Sequence, residues 1–177
     1  KNIPIRIGVN SGSLPSDLEP TAQNMIIAAK RHIEILEKND FYDIVLSLKA
    51  SNVKLMVEAY KLASEEFNYP LHVGLTEAGT NYGGLIKGSI GIGALLLEGI
   101  GNTIRVSLTS DPENEIIVAK EILSMTNKLD KPTLISCPTC GRTSYDMLNI
   151  VKQVEDYLNT INKKLTVAVM GCVVNGP

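Results

Sequence analysis

Six short runs of β-branched and apolar residues recur along the chain, at Ile3 to Val9, Asp43 to Leu48, Leu71 to Thr76, Thr103 to Leu108, Thr133 to Ser136 and Leu165 to Met170, and each reads as a strand. Between them apolar positions return at helical spacing. Met25, Ala29, Ile33 and Leu36 share one face, as do Met56, Tyr60, Ala63 and Phe67. A third helix around Leu85 to Leu97 carries Gly88, Gly91 and Gly93, each of which weakens a helix but lets its backbone approach a neighbour closely. Asp111-Pro112-Glu113 ahead of Ile116 and Ile117 offers an N-cap, a proline at the first helical position and an early acid. Ser144 ahead of Leu148, Val151 and Val154 starts the last long helix in the same way.

The strand starts are spaced by about thirty to forty residues, the length of a βα unit in a (β/α)8 barrel or a doubly wound sheet. The expected fold class is therefore α/β. Four units before Lys131 would make half a barrel, and two more after it part of a smaller α/β domain, which places domains at residues 1–130 and 131–177. Lys128 to Lys131, backed by Pro132, is the expected boundary. A single six-stranded sheet is the structural alternative. The first residues, Lys1 to Arg6, run directly into a strand pattern and the last, Asn175-Gly176-Pro177, stop inside a turn, so the chain is expected to be a piece of a longer protein.

Composition narrows the function classes. With 44 % apolar and 20 % charged residues the chain is globular rather than disordered. No apolar run reaches the ~18 residues of a membrane span. A net charge of −2, no tryptophan and two phenylalanines supply neither a basic stripe nor a stacking platform for nucleic acid. The absence of a secretory leader and an odd number of thiols point to a reducing cytosol.

Polar residues stand where buried parallel strands should be apolar. By the period of two, Arg6, Gly8 and Asn10 share one face of the first strand, Ser47, Lys49 and Ser51 one face of the second, and Arg105, Ser107 and Thr109 one face of the fourth, while Glu77 ends the third. The C-terminal ends of strands converge on the ligand site in such folds. Two arginines, a lysine and an asparagine aimed at one rim suit an anionic ligand. Glu77 is either their salt-bridge partner or an acid facing a substrate hydroxyl. His32 reads as a helix-face residue and His72 as structural.

All three cysteines fall in two turns: Cys137-Pro138-Thr139-Cys140-Gly141-Arg142 and Gly171-Cys172-Val173-Val174-Asn175-Gly176-Pro177. Three thiolates can close round a soft metal or an iron-sulfur cluster and leave one coordination position unassigned. A zinc turn, a thioredoxin-like couple and a disulfide compete with that reading. The disulfide fits worst, zinc lacks an obvious fourth Cys or His, and a redox couple leaves Cys172 unexplained.

These two turns, together with Ile7 to Leu14, Ser47 to Ser51, Val73 to Thr80 and Ile104 to Thr109, occur in the order seen in one family. The chain closely resembles the 4-hydroxy-3-methylbut-2-enyl diphosphate synthases of the non-mevalonate isoprenoid pathway. The resemblance implies the C-terminal half of a (β/α)8 TIM barrel followed by a smaller iron-sulfur domain, with one subunit's cluster domain set over the other's barrel in a homodimer. It implies a two-electron reductive ring opening and dehydration of 2-C-methyl-D-erythritol 2,4-cyclodiphosphate in the cytoplasm, with an electron donor such as flavodoxin or ferredoxin. Carried over by motif, Arg6, Asn10, Lys49, Arg105 and Ser107 would hold the diphosphate, and Glu77 would act at the reacting hydroxyls. Cys137, Cys140 and Cys172 would bind three irons of a 4Fe-4S cluster, with Asn175 beside the fourth and on the substrate side. The family pattern continues past Pro177 to a glutamate that is the fourth cluster ligand, and it includes an N-terminal barrel half; without these, this piece is expected to be inactive alone. A non-catalytic zinc or cluster-binding module that recognises a phosphorylated ligand is the competing function.

Overall fold

Alternation along the first two strands decides which way the sheet faces. In the computed structural model, which describes residues 3–175, β1 (Ile5–Asn10) and β2 (Ile44–Lys49) pair in parallel, with Gly8 opposite Ser47 and Asn10 opposite Lys49. Ile7 and Val9, with Ile44, Leu46 and Leu48, are buried in one apolar cluster with the helices, so Arg6, Gly8 and Asn10 and, across from them, Ser47 and Lys49 occupy the other face. The residues expected to close the last turn, Gly176 and Pro177, lie outside the described residues, as do Lys1 and Asn2.

The chain divides into two compact units, Lys1–Thr126 and Asn127–Pro177. In the first, β3 (His72–Val73) pairs in parallel with β4 (Thr103–Ile104), and β2 touches β3 through one parallel bridge, Leu46 to Leu71. The strands expected over Leu71–Thr76 and Thr103–Leu108 thus form ladders of two residues each. Tyr60 explains part of this. Fully buried on α2 (Val53–Glu66), its phenol accepts from the Leu48 N–H at 3.0 Å and donates to the His72 carbonyl at 2.6 Å. One hydroxyl therefore stands between β2 and β3 where a direct ladder bond would otherwise form, and both backbone groups stay satisfied.

Helix α1 (Ala22–Glu37) is capped by Thr21 and α2 by Asn52, whose side chains accept from the N–H groups of Asn24 and Leu55. α3 (Asn81–Leu97) begins earlier than its glycine-rich middle suggests. Of its glycines, Gly91 has the packing role expected: a β-carbon there would stand 2.5 Å from the Met56 methyl and 2.9 Å from Leu75. Gly88 and Gly93 would meet nothing within 4 Å. α4 (Pro112–Met125) has the expected proline in its first turn, but Asp111 at the cap makes no side-chain capping bond.

In the second unit β5 (Thr133–Ser136) and β6 (Thr166–Val169) pair in parallel and join no strand of the first, so the single six-stranded sheet is not formed among the described residues. α5 (Met147–Leu158) is capped by Asp146 rather than started by Ser144. The Ser144 N–H is drawn away to the Gly171 carbonyl at 3.2 Å, which ties that loop to the end of β6. The fold class is α/β with parallel pairing throughout; the described residues do not close into a barrel.

Candidate functional site

The polar face of the first unit collects the cations. Arg6 and Asn10 are exposed on β1, Lys49 is half-buried at the end of β2, and Arg105 and Ser107 are half-buried just beyond β4. Burial, then the nearby charges of Arg105 and Arg6, hold the Lys49 ammonium below its usual range. Three cations of three strands therefore feel one another. Among the described residues none of them is in an ion pair, which leaves their charge available to a ligand.

Arg105 is fixed by its backbone surroundings. Its N–H donates to the Val73 carbonyl at 2.8 Å and its Nη2 to the Leu75 carbonyl at 3.3 Å. Gly74 makes this approach feasible, because a β-carbon there would lie 2.5 Å from the Arg105 carbonyl oxygen. Ser107 and Thr109 follow on a segment tied down by Glu115, which accepts from the Leu108 N–H at 2.9 Å, and by Thr109, whose hydroxyl donates to the Gly79 carbonyl at 3.0 Å.

Glu77 lies on the loop between β3 and α3 with φ 52°, a left-handed backbone unusual for glutamate. Its side chain is exposed and enters no ion pair among the described residues, so the salt-bridge role is not formed.

One further residue stands on this face. His72, expected to be structural, has its ring lowered below the usual value by burial and then by Arg6, Lys49 and Arg105. It is a neutral neighbour of those three charges. The period of two along Leu71 to Thr76, which sets His72 on the face of Gly74, was the available signal.

In the second unit the three cysteines are free thiols, Cys140 exposed and the others half-buried. The Gly171 N–H donates to Cys137 Sγ at 3.1 Å, which brings the start of the Cys172 turn to the first thiol. At Gly171 a β-carbon would press on Met147 and Thr143 at 3.0 Å. The backbone N–H of Arg142 donates to the Cys140 thiol and holds it below the usual range. The loop is braced by the Cys140 N–H on the Thr143 hydroxyl at 3.2 Å and the Tyr145 hydroxyl on the Met170 carbonyl at 2.7 Å. Cys172 and Asn175 line an open cavity of about 610 Å³ with Ser144, Tyr145 and Gly171. Among the described residues no three His, Cys, Asp or Glu side chains gather closely enough to hold a metal ion. The sequence spacing therefore sets the thiols on two facing turns without bringing them to ligand distance.

Fold and site define a parallel α/β protein with a cationic strand-end face in one unit and three thiols on two turns in the other. Residues 1–120 match the GcpE TIM-barrel domain and residues 133–177 the GcpE protein C-terminal domain, and the chain belongs to the GcpE family. It is 57 % identical to the 4-hydroxy-3-methylbut-2-en-1-yl diphosphate synthase (flavodoxin) of Clostridium perfringens, with all of this chain and 52 % of that protein aligned. Identity is 55 % to the proteins of the same name from Fusobacterium nucleatum, over all of this chain and 52 % of the relative, and from Malacoplasma penetrans, over all of this chain and 50 % of the relative. The chain spans about half the length of these curated relatives.

Proposed function

We propose that this chain forms the C-terminal barrel half and most of the cluster domain of a 4-hydroxy-3-methylbut-2-enyl diphosphate synthase, which opens and dehydrates a cyclic diphosphate by two-electron reduction. The observation that carries this reading is the group of Arg6, Lys49 and Arg105 on one face, none of them neutralised by a carboxylate among the described residues. Two guanidinium groups and an ammonium grip phosphate oxygens, and Asn10 and Ser107 add neutral hydrogen bonds. A bound diphosphate would raise the Lys49 pKa again, because its negative charge offsets the neighbouring arginines. Glu77, exposed and unpaired, is placed in the role of exchanging a proton with the oxygen of the departing hydroxyl.

The thiols suit a 4Fe-4S cluster in their chemistry. The Arg142 N–H at Cys140 favours its thiolate, the form that ligates iron, and the Gly171 N–H on Cys137 Sγ sets that sulfur beside the second turn. Cys137, Cys140 and Cys172 would hold it, with Asn175 toward the substrate. When bound, the cluster supplies electrons to the reaction. The same reading carries a flavodoxin-type electron donor, as in the relatives' name, a homodimer and a cytoplasmic location. No helix among the described residues is long and apolar enough to cross a membrane.

Titration of the full-length protein with the cyclic diphosphate, comparing wild type with Arg105→Met, tests the anion site. A charge-assisted bond is worth about 1.5–3 kcal/mol, so affinity should fall by about one to two decades with the fold intact. Unchanged affinity would return Arg105 to the role of a solvated charge. A visible absorption spectrum after anaerobic reconstitution separates a brown cluster from the colourless zinc of a non-catalytic module.

A further inference from the structure

Three side-chain polar atoms among the described residues are buried without a well-formed hydrogen bond, Ser47 Oγ, His72 Nε2 and Arg105 Nε, the first of them beside the Tyr60 phenol, which already serves Leu48 and His72. They belong to three successive strands and to the same face. Leu46 of β2 bridges Leu71, so the next residues on each strand, Ser47 and His72, are lateral neighbours. His72 in turn faces Thr103 across the β3–β4 pair, with Nδ1 2.8 Å from the threonine hydroxyl. On the other side of Ser47 stands Gly8, where a β-carbon would meet nothing within 4 Å. This row lies one step below Asn10 and Lys49 along β1 and β2, so it forms a floor beneath the cationic rim and stays open above Gly8.

Ser47 is 1 % exposed on a strand whose buried positions are otherwise apolar, and a buried polar atom left unpartnered is costly. Three on neighbouring segments of one face are explained together by a common partner. Arg105 Nε–H is a donor only, and the Ser47 hydroxyl can donate. Burial and the surrounding cations keep His72 neutral, and a proton on Nε2 leaves Nδ1 to accept from Thr103. Arg105 Nε–H can only donate, so a partner shared by this group must present an acceptor oxygen, which the Ser47 hydroxyl and the Nε2–H tautomer of His72 can also serve.

We propose that Ser47, His72 and Arg105 form an inner tier of the anion site that holds one acceptor oxygen beneath the rim, belonging either to the anionic ligand itself or to a water that the ligand grips. The inference rests on reading the rim as an anion site and adds Ser47 and His72 to its binding residues. Both sources of the oxygen need the same donors.

The test uses the full-length protein and inorganic pyrophosphate, measured by titration calorimetry beside thermal melting. Ser47→Ala and His72→Leu should each weaken pyrophosphate binding about five- to tenfold, the loss of one hydrogen bond. Ser47→Ala should melt at the wild-type temperature or above, because it removes an unpartnered buried hydroxyl. His72→Gln, which restores a donor near Nε2, should recover most of the affinity. Crystal structures with and without pyrophosphate identify the source: an oxygen between the three donors in both is water, and one present only with pyrophosphate is the ligand's. Wild-type affinity in Ser47→Ala and in His72→Leu, or no oxygen at the floor in either structure, overturns the inference while leaving the rim intact. Failure of the wild-type protein to bind pyrophosphate sinks the anion site and the inner tier together.

Discussion

The two units use the same parallel α/β grammar and hold together by different means. In Lys1–Thr126 the side chains of Leu46, Leu48, Met56, Tyr60 and Leu95 are each 0 % exposed, within an apolar cluster that reaches all four strands and helices. In Asn127–Pro177 α5 buries Met147 and Leu158 but leaves Leu148 70 % and Tyr157 65 % exposed. A segment of about fifty residues has too little interior to stabilise itself by packing, and small domains of this kind commonly lean on a metal or another bound group. The first unit is organised by its core and the second by its turns.

The largest test of that contrast is Cys172→Ser in the full-length protein. It should abolish cluster absorbance and catalytic activity and lower the melting of the second unit, while the first unit unfolds as before. A shift of both units together would break the comparison.

Tyr60→Phe strikes the first unit at a buried polar link between two strands. Losing the phenol leaves the Leu48 N–H and the His72 carbonyl without their partner, at about 1–3 kcal/mol for each buried group left unpaired. Denaturant titration should show that loss with the cluster absorbance unchanged. A ΔΔG near zero would mean that β2 and β3 re-pair directly and that the phenol is dispensable.

Within α3 the glycines should separate by packing. Gly91→Ala drives a methyl onto Met56 and Leu75 and should destabilise by about 1–3 kcal/mol. Gly88→Ala, with open space at its β-carbon, should stabilise by about 0.5–1 kcal/mol through helix propensity. Equal effects would show that the helix contact is looser than the core around it.

The smallest effect is a pH slope confined to the first unit. His72, faced by Arg6, Lys49 and Arg105, has a folded pKa below the ordinary 6.5. The unfolded chain therefore takes up a proton that the folded protein refuses. Its contribution to stability is complete above pH 6.5 and declines as pH falls from there through the folded pKa. Denaturant midpoints across that window should slope downward toward acid in wild type and flatten in His72→Gln; an identical slope in both would assign it to other groups.

Much of this molecule was readable from residue order. Period-two alternation placed Arg6, Asn10 and Lys49 on one face of their strands, helical spacing found α1 and α2, and the two cysteine turns were visible by spacing alone, while Arg105 and Ser107 fall just beyond the strand expected to carry them. These are properties of neighbouring residues, and local geometry settles them. Tertiary structure decided the rest. The ladders of β3 and β4 are short where the sequence suggested longer strands, and between β2 and β3 a phenol from α2 takes the place of a ladder bond. α5 starts at Asp146 because Ser144 is bound to the distant Gly171. The charges that His72 feels, Arg6, Lys49 and Arg105, come from three other strands or their ends and could not be read from its own segment. A strand's periodicity states which side a residue takes, whereas what it meets there depends on contacts between segments tens of residues apart, and only the folded chain supplies those.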